Sequence, residues 1–202
     1  MGTTSYLFGL LCLVALLGHW RPDRDLLVVN GASPFVFSSW NMVYQSTKKQ
    51  NTQKNKQLIS IAKSQIGIRE ATGNNDGPAV EQYLAYTGNK KGEPWCASFV
   101  SWVFGQAGFK QPKTAWSPSL FPKGRLISEV TPASVFGIYF PDKGRIAHAG
   151  LVERQQGSWI YTIEGNTNMV GSREGDGVYR KLRHVRTIKC YADWINTKGG
   201  AK

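Results

Sequence analysis

The sequence predicts an α+β domain, with helices first and an antiparallel β-sheet after them, and three observations carry that reading. Apolar residues recur at helical spacing as far as Pro112, and beyond it they alternate with polar ones. Asn, Asp, Gly and Pro punctuate both halves where elements should end. The chain has 202 residues, 41% of them hydrophobic and 12% aromatic, enough for one packed core and unlike a disordered composition.

The elements follow in chain order. Tyr6 to Gly18 is nearly all apolar. That length suits the apolar stretch of a secretory signal and falls short of the ~20 residues that span a bilayer. No Lys or Arg precedes it and Arg21 and Arg24 follow, so over residues 1–20 an uncleaved membrane anchor competes with a signal peptide. Either one places the protein outside the cell or in its envelope. Residues 21–55 hold a stretch with no assignment, including apolar runs between Leu26 and Trp40, and then a basic polar linker. That linker runs from about Gln45 to Gln57 without periodicity.

The folded domain is expected over residues 56–196, with a tail at 197–202. Leu58, Ile59, Ala62 and Ile66 form one face of a short helix ending at Gly67. Asn74 to Pro78 is a turn feeding a second helix, with Val80, Tyr83 and Leu84 on one face and Gly88 as its stop. A third helix opens after Pro94, buries Cys96, Val100, Val103 and Ala107, and stops at Gly108. Alternation then marks strands over Val135–Phe140, Ile146–Glu153, Trp159–Glu164 and Val178–Arg183.

The net charge of +12 is spread from Lys48 to Lys202. Such a balance favours polyanionic partners, although a merely solvated basic surface gives the same count. No zinc-finger spacing or ribonucleoprotein motif accompanies it, so a nucleic-acid partner is not expected. Of three cysteines, Cys12 lies in the leader, and Cys96 and Cys190 are too few and too far apart for a disulfide framework. Cys190 reads as a small buried hydrophobe. Zinc-like spacing is missing, and Asn74, Asn75 and Asp76 offer one carboxylate to a calcium ion that needs six or more ligands; no cofactor or metal is expected.

Cys96 is the centre of the functional reading. In the first turn of its helix, unpaired N–H groups and the macrodipole favour a thiolate over a thiol. A purely structural cysteine would fit the same helix. A nucleophile needs a base, and His148 and His184 lie in the domain. His148 sits between Ala147 and Ala149-Gly150, where small neighbours leave room beside the ring; His184 stands in a basic strand and reads as solvent-facing. A three-residue hairpin loop at Gln155-Gln156-Gly157 pairs Arg154 with Ser158 and so puts His148 directly opposite Glu164. Asn166 would share that face, and either residue could orient the imidazole. A register slip of one residue would part His148 from Glu164.

Pro94-Trp95-Cys96-Ala97 opening a helix, His148-Ala149-Gly150-Leu151-Val152, and Glu164-Gly165-Asn166 together resemble the CHAP family, the cysteine, histidine-dependent amidohydrolases/peptidases. The resemblance spans roughly Lys56 to Trp194 and includes Ala62 to Gly67 and Asn74 to Gly77. It implies a papain-like fold, with the nucleophile helix packed on the antiparallel sheet. It further implies Cys96 as nucleophile, His148 as general base and acid, and Glu164 with Asn166 as orienting groups. The implied substrate is peptidoglycan, cut at a muramoyl-L-alanine amide or within a peptide stem or bridge, by a monomer. The Cys96 N–H is the first oxyanion donor, with Asn89 as a candidate second. Trp95, Trp116 and Tyr139 are the aromatic residues that could line a cleft. The competing readings are a catalytically weak wall-binding or effector module and another thiol acyl-transfer enzyme on the same fold.

Overall fold

The computed structural model describes residues 34–170 and 174–196. The chain divides into two units, residues 1–40 and 41–202. The leader expected over residues 1–20 and the tail lie outside the described residues. Among the described residues, no helix is long and apolar enough to cross a membrane.

Helix α1 spans Pro34–Ser64. It corrects the reading of residues 45–57 as a linker. Gln and Lys are good helix formers, and neither Gly nor Pro interrupts the chain between Ser38 and Ser64. The missing apolar period reflects exposure: residues 41–50 all face solvent. Leu58, Ile59 and Ala62 anchor the last turns in the core. Helix α2 spans Pro78–Thr87, and its Gly88 cap takes the left-handed conformation at φ 79°. Helix α3 spans Cys96–Gln106, with Ala107 as its C-cap and Gly108 just beyond it at φ 83°, the left-handed stop expected there.

Six strands follow: β1 Leu126–Ile127, β2 Val135–Phe140, β3 Arg145–Gln156, β4 Trp159–Thr167, β5 Gly177–His184 and β6 Cys190–Ala192. They form one sheet in the order β1-β6-β2-β3-β4-β5, with every pairing antiparallel. The expected α+β architecture, helices first and the cysteine helix against an antiparallel sheet, is therefore the observed one. Val135, Ala149, Leu151, Ile163 and Val178 join the helices in the main core. The contact of α3 with the sheet is close at Gly165, where a Cβ would stand 2.6 Å from the Trp95 ring and 2.7 Å from Phe99.

The β3–β4 register differs from the expected one in two places. Gln156 pairs with Trp159, so the hairpin loop is Gly157-Ser158 rather than three residues. Gly157 takes φ 56°, as tight two-residue loops require. Continued unbroken, that register would put His148 and Glu164 on opposite faces. A bulge at Glu153, between Val152 and Arg154, adds one residue and restores the parity, giving Leu151 opposite Ile163. Glu164 thereby shares a face with His148 as its diagonal neighbour, not its direct partner.

Candidate active site

Local sequence sets the nucleophile's place. Trp95 caps α3 in a non-helical conformation, and Cys96 is its first helical residue, 6% exposed. A helix begins with N–H groups that have no acceptor in a preceding turn, so the sulfur sits where negative charge is favoured. The Cys96 Sγ lies 3.4 Å from the Ser117 hydroxyl and also meets the Ala149 N–H. Burial pushes the thiol up, but hydrogen bonding and charge from His148, with Ser117 and Ala149, bring it down to about 7.

His148 is its partner. The imidazole is buried, bonds the Cys96 thiol, and places Nε2 2.8 Å from Glu164 Oε2. With Nε2 occupied, Nδ1 is left for the sulfur. Burial disfavours the imidazolium, yet bonds to Cys96 and Glu164 raise His148 to about 9. The cysteine thus ionises below the histidine, and between the two values the pair is thiolate and imidazolium.

Glu164 is fully buried and multiply held. Arg183 donates to both of its oxygens at 2.5 Å, and the Thr162 hydroxyl donates at 2.5 Å. Burial raises its pKa, but the Arg183 fork and His148 outweigh that and lower it to about 2. Arg183 and Thr162 were not singled out from the sequence. The signal was present in β5, where Arg183 pairs with Ile160 and so falls on the same face as Thr162 and Glu164.

Asn166 is not beside His148, contrary to the expected orienting role. Its φ of 52° breaks the strand alternation, and β4 shifts register between Glu164 and Thr167. The side chain turns instead to the start of α3: Oδ1 accepts the Trp95 N–H at 3.2 Å, and Nδ2 donates to Asn75 Oδ1 at 2.8 Å. Glu70 completes this network, accepting from the Trp95 indole at 2.8 Å and from the Asn75 N–H at 2.9 Å. Trp95 is fully buried against Tyr83 and Phe99, so it is a core aromatic and not a cleft wall.

A cleft of about 370 Å³ opens on Cys96, lined by Asn89, Glu93, Trp116, Ser117, Arg145 and Ala147 among others. Trp116 is half exposed there, with the Arg145 guanidinium over its ring. Tyr139 is exposed but not among the cleft residues, lying instead beneath Lys189. His184 accepts the Arg186 N–H and stacks edge-on to Trp159, away from Cys96. Cys96 and Cys190 are both free thiols, and burial raises Cys190. Among the described residues, no cluster of three or more His, Cys, Asp or Glu side chains is placed to hold a metal ion.

No protein-family profile matches the chain, and no curated protein matches it. Two solved structures are similar in outline. The NlpC/p60 domain of the peptidoglycan hydrolase SagA is 15% identical, aligned over 69% of this chain and 97% of its own, with a TM-score of 0.43. The peptidoglycan hydrolase RipB from Mycobacterium tuberculosis is 16% identical, aligned over 86% of this chain and 92% of its own, also at 0.43. Likeness at this level decides nothing about chemistry, which rests on the side chains.

Proposed function

We propose that this chain is a cysteine amidohydrolase or peptidase of the bacterial cell wall, acting by thiolate acyl transfer, with residues 56–196 as its catalytic domain. One observation carries the chemistry: a buried Cys96–His148–Glu164 relay whose cysteine lines an open cleft, with the cysteine ionising below its histidine. A structural cysteine has no use for a partnered imidazole, and a binding module has no use for the relay. The CHAP-like motif order supports peptidoglycan as the substrate. The charge of +12 suits an enzyme drawn to an anionic wall and placed outside the cell or in its envelope.

In the mechanism, the Cys96 thiolate attacks the amide carbonyl while the imidazolium of His148 stands ready as acid. The Cys96 N–H, at the helix start, donates to the developing oxyanion, and Asn89, which lines the same cleft, is the candidate second donor. His148 protonates the leaving amine, and the C–N bond breaks to give a thioester. The same imidazole then takes a proton from water, whose oxygen displaces the sulfur and frees the acid. Glu164 stabilises each imidazolium stage without itself becoming protonated, because Arg183 holds its charge.

The test uses the full chain and its Cys96→Ala variant on purified peptidoglycan, with released fragments identified by mass spectrometry. The expected result is new amino and carboxyl termini from the wild type and none from the variant. A muramic acid–alanine cut would make it an amidase; a stem or bridge cut, an endopeptidase. Equal release by both proteins would end the cysteine-hydrolase reading.

A further inference from the structure

The relay balances its own charge. In the ion-pair state the thiolate is matched by His148, and Glu164 is matched by Arg183, so the machinery presents no net charge to a substrate. The cleft wall does. Lys143 and Arg145 both line it, brought there by the turn Pro141–Lys143, Gly144 at φ 60° and the first residue of β3.

Both side chains lie against aromatic rings. The Arg145 guanidinium lies 4.0 Å over the Trp116 ring and donates through one amino group to the Ile146 carbonyl at 3.1 Å. The Lys143 ammonium rests 5.9 Å from the Phe140 ring. Stacking fixes the plane of a guanidinium but uses none of its N–H groups, so the fork stays directed and less rotamer freedom is lost on binding. The cleft holds one acid, Glu93, from the segment before α3, and its Oε2 already accepts the Lys90 N–H at 2.7 Å.

We propose that Lys143 and Arg145 form a carboxylate-binding subsite beside Cys96, so that the preferred substrate is a peptide stem carrying a free carboxylate next to the amide that is cut. This rests on the hydrolase reading for the word substrate, but the subsite itself does not need turnover to be detected. A guanidinium fork with an ammonium two residues away matches a carboxylate in charge and geometry. A neutral carboxamide at the same place would offer one carbonyl acceptor in place of two charged oxygens, and its N–H group would face the other donor.

Two measurements separate this subsite from the hydrolase reading. First, Cys96 in the full chain is alkylated with iodoacetate, which is anionic, and with iodoacetamide, which is neutral and of similar size. The rate ratio should favour iodoacetate in the wild type and fall about threefold in Lys143→Gln or Arg145→Gln, and further in the double variant. Glu93→Gln should raise it. Second, the peptide L-Ala-γ-D-Glu-L-Lys-amide should protect Cys96 from iodoacetamide better than its analogue with the free α-carboxylate converted to carboxamide. That preference should vanish in the double variant. A ratio unchanged in both single variants overturns the subsite even if peptidoglycan is cut. Equal protection by acid and carboxamide overturns the substrate class even if the ratio moves. Because Lys143 is exposed, its single variant keeps the test open should Arg145→Gln fail to fold.

Discussion

Glu164→Gln is the most informative single change. It keeps the shape of the side chain and one acceptor for His148, and removes the charge. In the wild type at pH 8, a cysteine at about 7 and a histidine at about 9 give about 80% ion pair. Were both groups to return to their ordinary values of 9.0 and 6.5, the ion-pair fraction at pH 8 would drop about 300-fold. Cys96 and His148 keep each other's company in the variant, so the expected loss in kcat/KM is smaller, about 10- to 100-fold. The sign is fixed by the geometry. Without the carboxylate the imidazolium loses support, so the alkaline limb of the pH profile moves down; the thiolate then loses its cation, so the acid limb moves up. The bell narrows from both sides. Kinetics from pH 5 to 10, with the iodoacetamide rate of Cys96 followed in parallel, read both limbs. A variant with reduced activity and unmoved limbs would refute the argument, since its loss would then come from folding or packing.

Other consequences follow from the same contacts. Asn166→Gly keeps the φ of 52° open but releases the Trp95 N–H; kcat should fall about tenfold with KM little changed, and Asn166→Asp, which keeps the acceptor, should recover part of it. Gly165→Ala drives a methyl into Trp95 and Phe99 and should cost about 1–3 kcal/mol, read as a lower thermal midpoint with normal Cys96 reactivity in the folded fraction. Acid unfolding should show the buried carboxylate. Its folded pKa of about 2 lies below the ordinary 4.5, so its contribution of about 3 kcal/mol is complete above pH 4.5 and is lost as the pH falls toward 2. Arg183→Met should move that loss to higher pH, measured by fluorescence. Near neutral pH, iodoacetamide should label Cys96 ahead of Cys190, whose thiol is raised by burial; the reverse order in a peptide map would mean Cys96 is not activated.

Helix α2 and strand β5 were legible because one face of each is buried, which prints a period on the sequence; α3 and the middles of β3 and β4 are buried on both faces and were legible from their apolar runs and the turn residues that bound them. Residues 45–57 were not, since an exposed helix held by intrinsic propensity leaves no such period. The pairing of His148 with Glu164 was reached through a register wrong in loop and bulge. Periodicity reports which face a residue is on, and the extra residue at Glu153 preserved that parity while changing the partner. Asn166 was misplaced for the complementary reason: a single left-handed residue ends the alternation on which the inference stood. Trp95 was ambiguous because an aromatic beside a nucleophile can be wall or core, and only the third dimension separates them. Arg183 is remote in sequence from Glu164 and announces itself only once β4 and β5 are aligned.

The alternation of sign from sulfur to imidazole to carboxylate to guanidinium has a use beyond holding the groups in place. Four charges in the order minus, plus, minus, plus cancel at a distance, so mobile ions have little to screen and the reactivity of the sulfur should be nearly indifferent to added salt. The attraction of a strongly cationic protein for an anionic polymer is the opposite case and fades as salt is added. Ionic strength is therefore a dial that acts on capture and leaves bond-breaking alone, so such a protein can roam more freely along its polymer in brine without losing its edge.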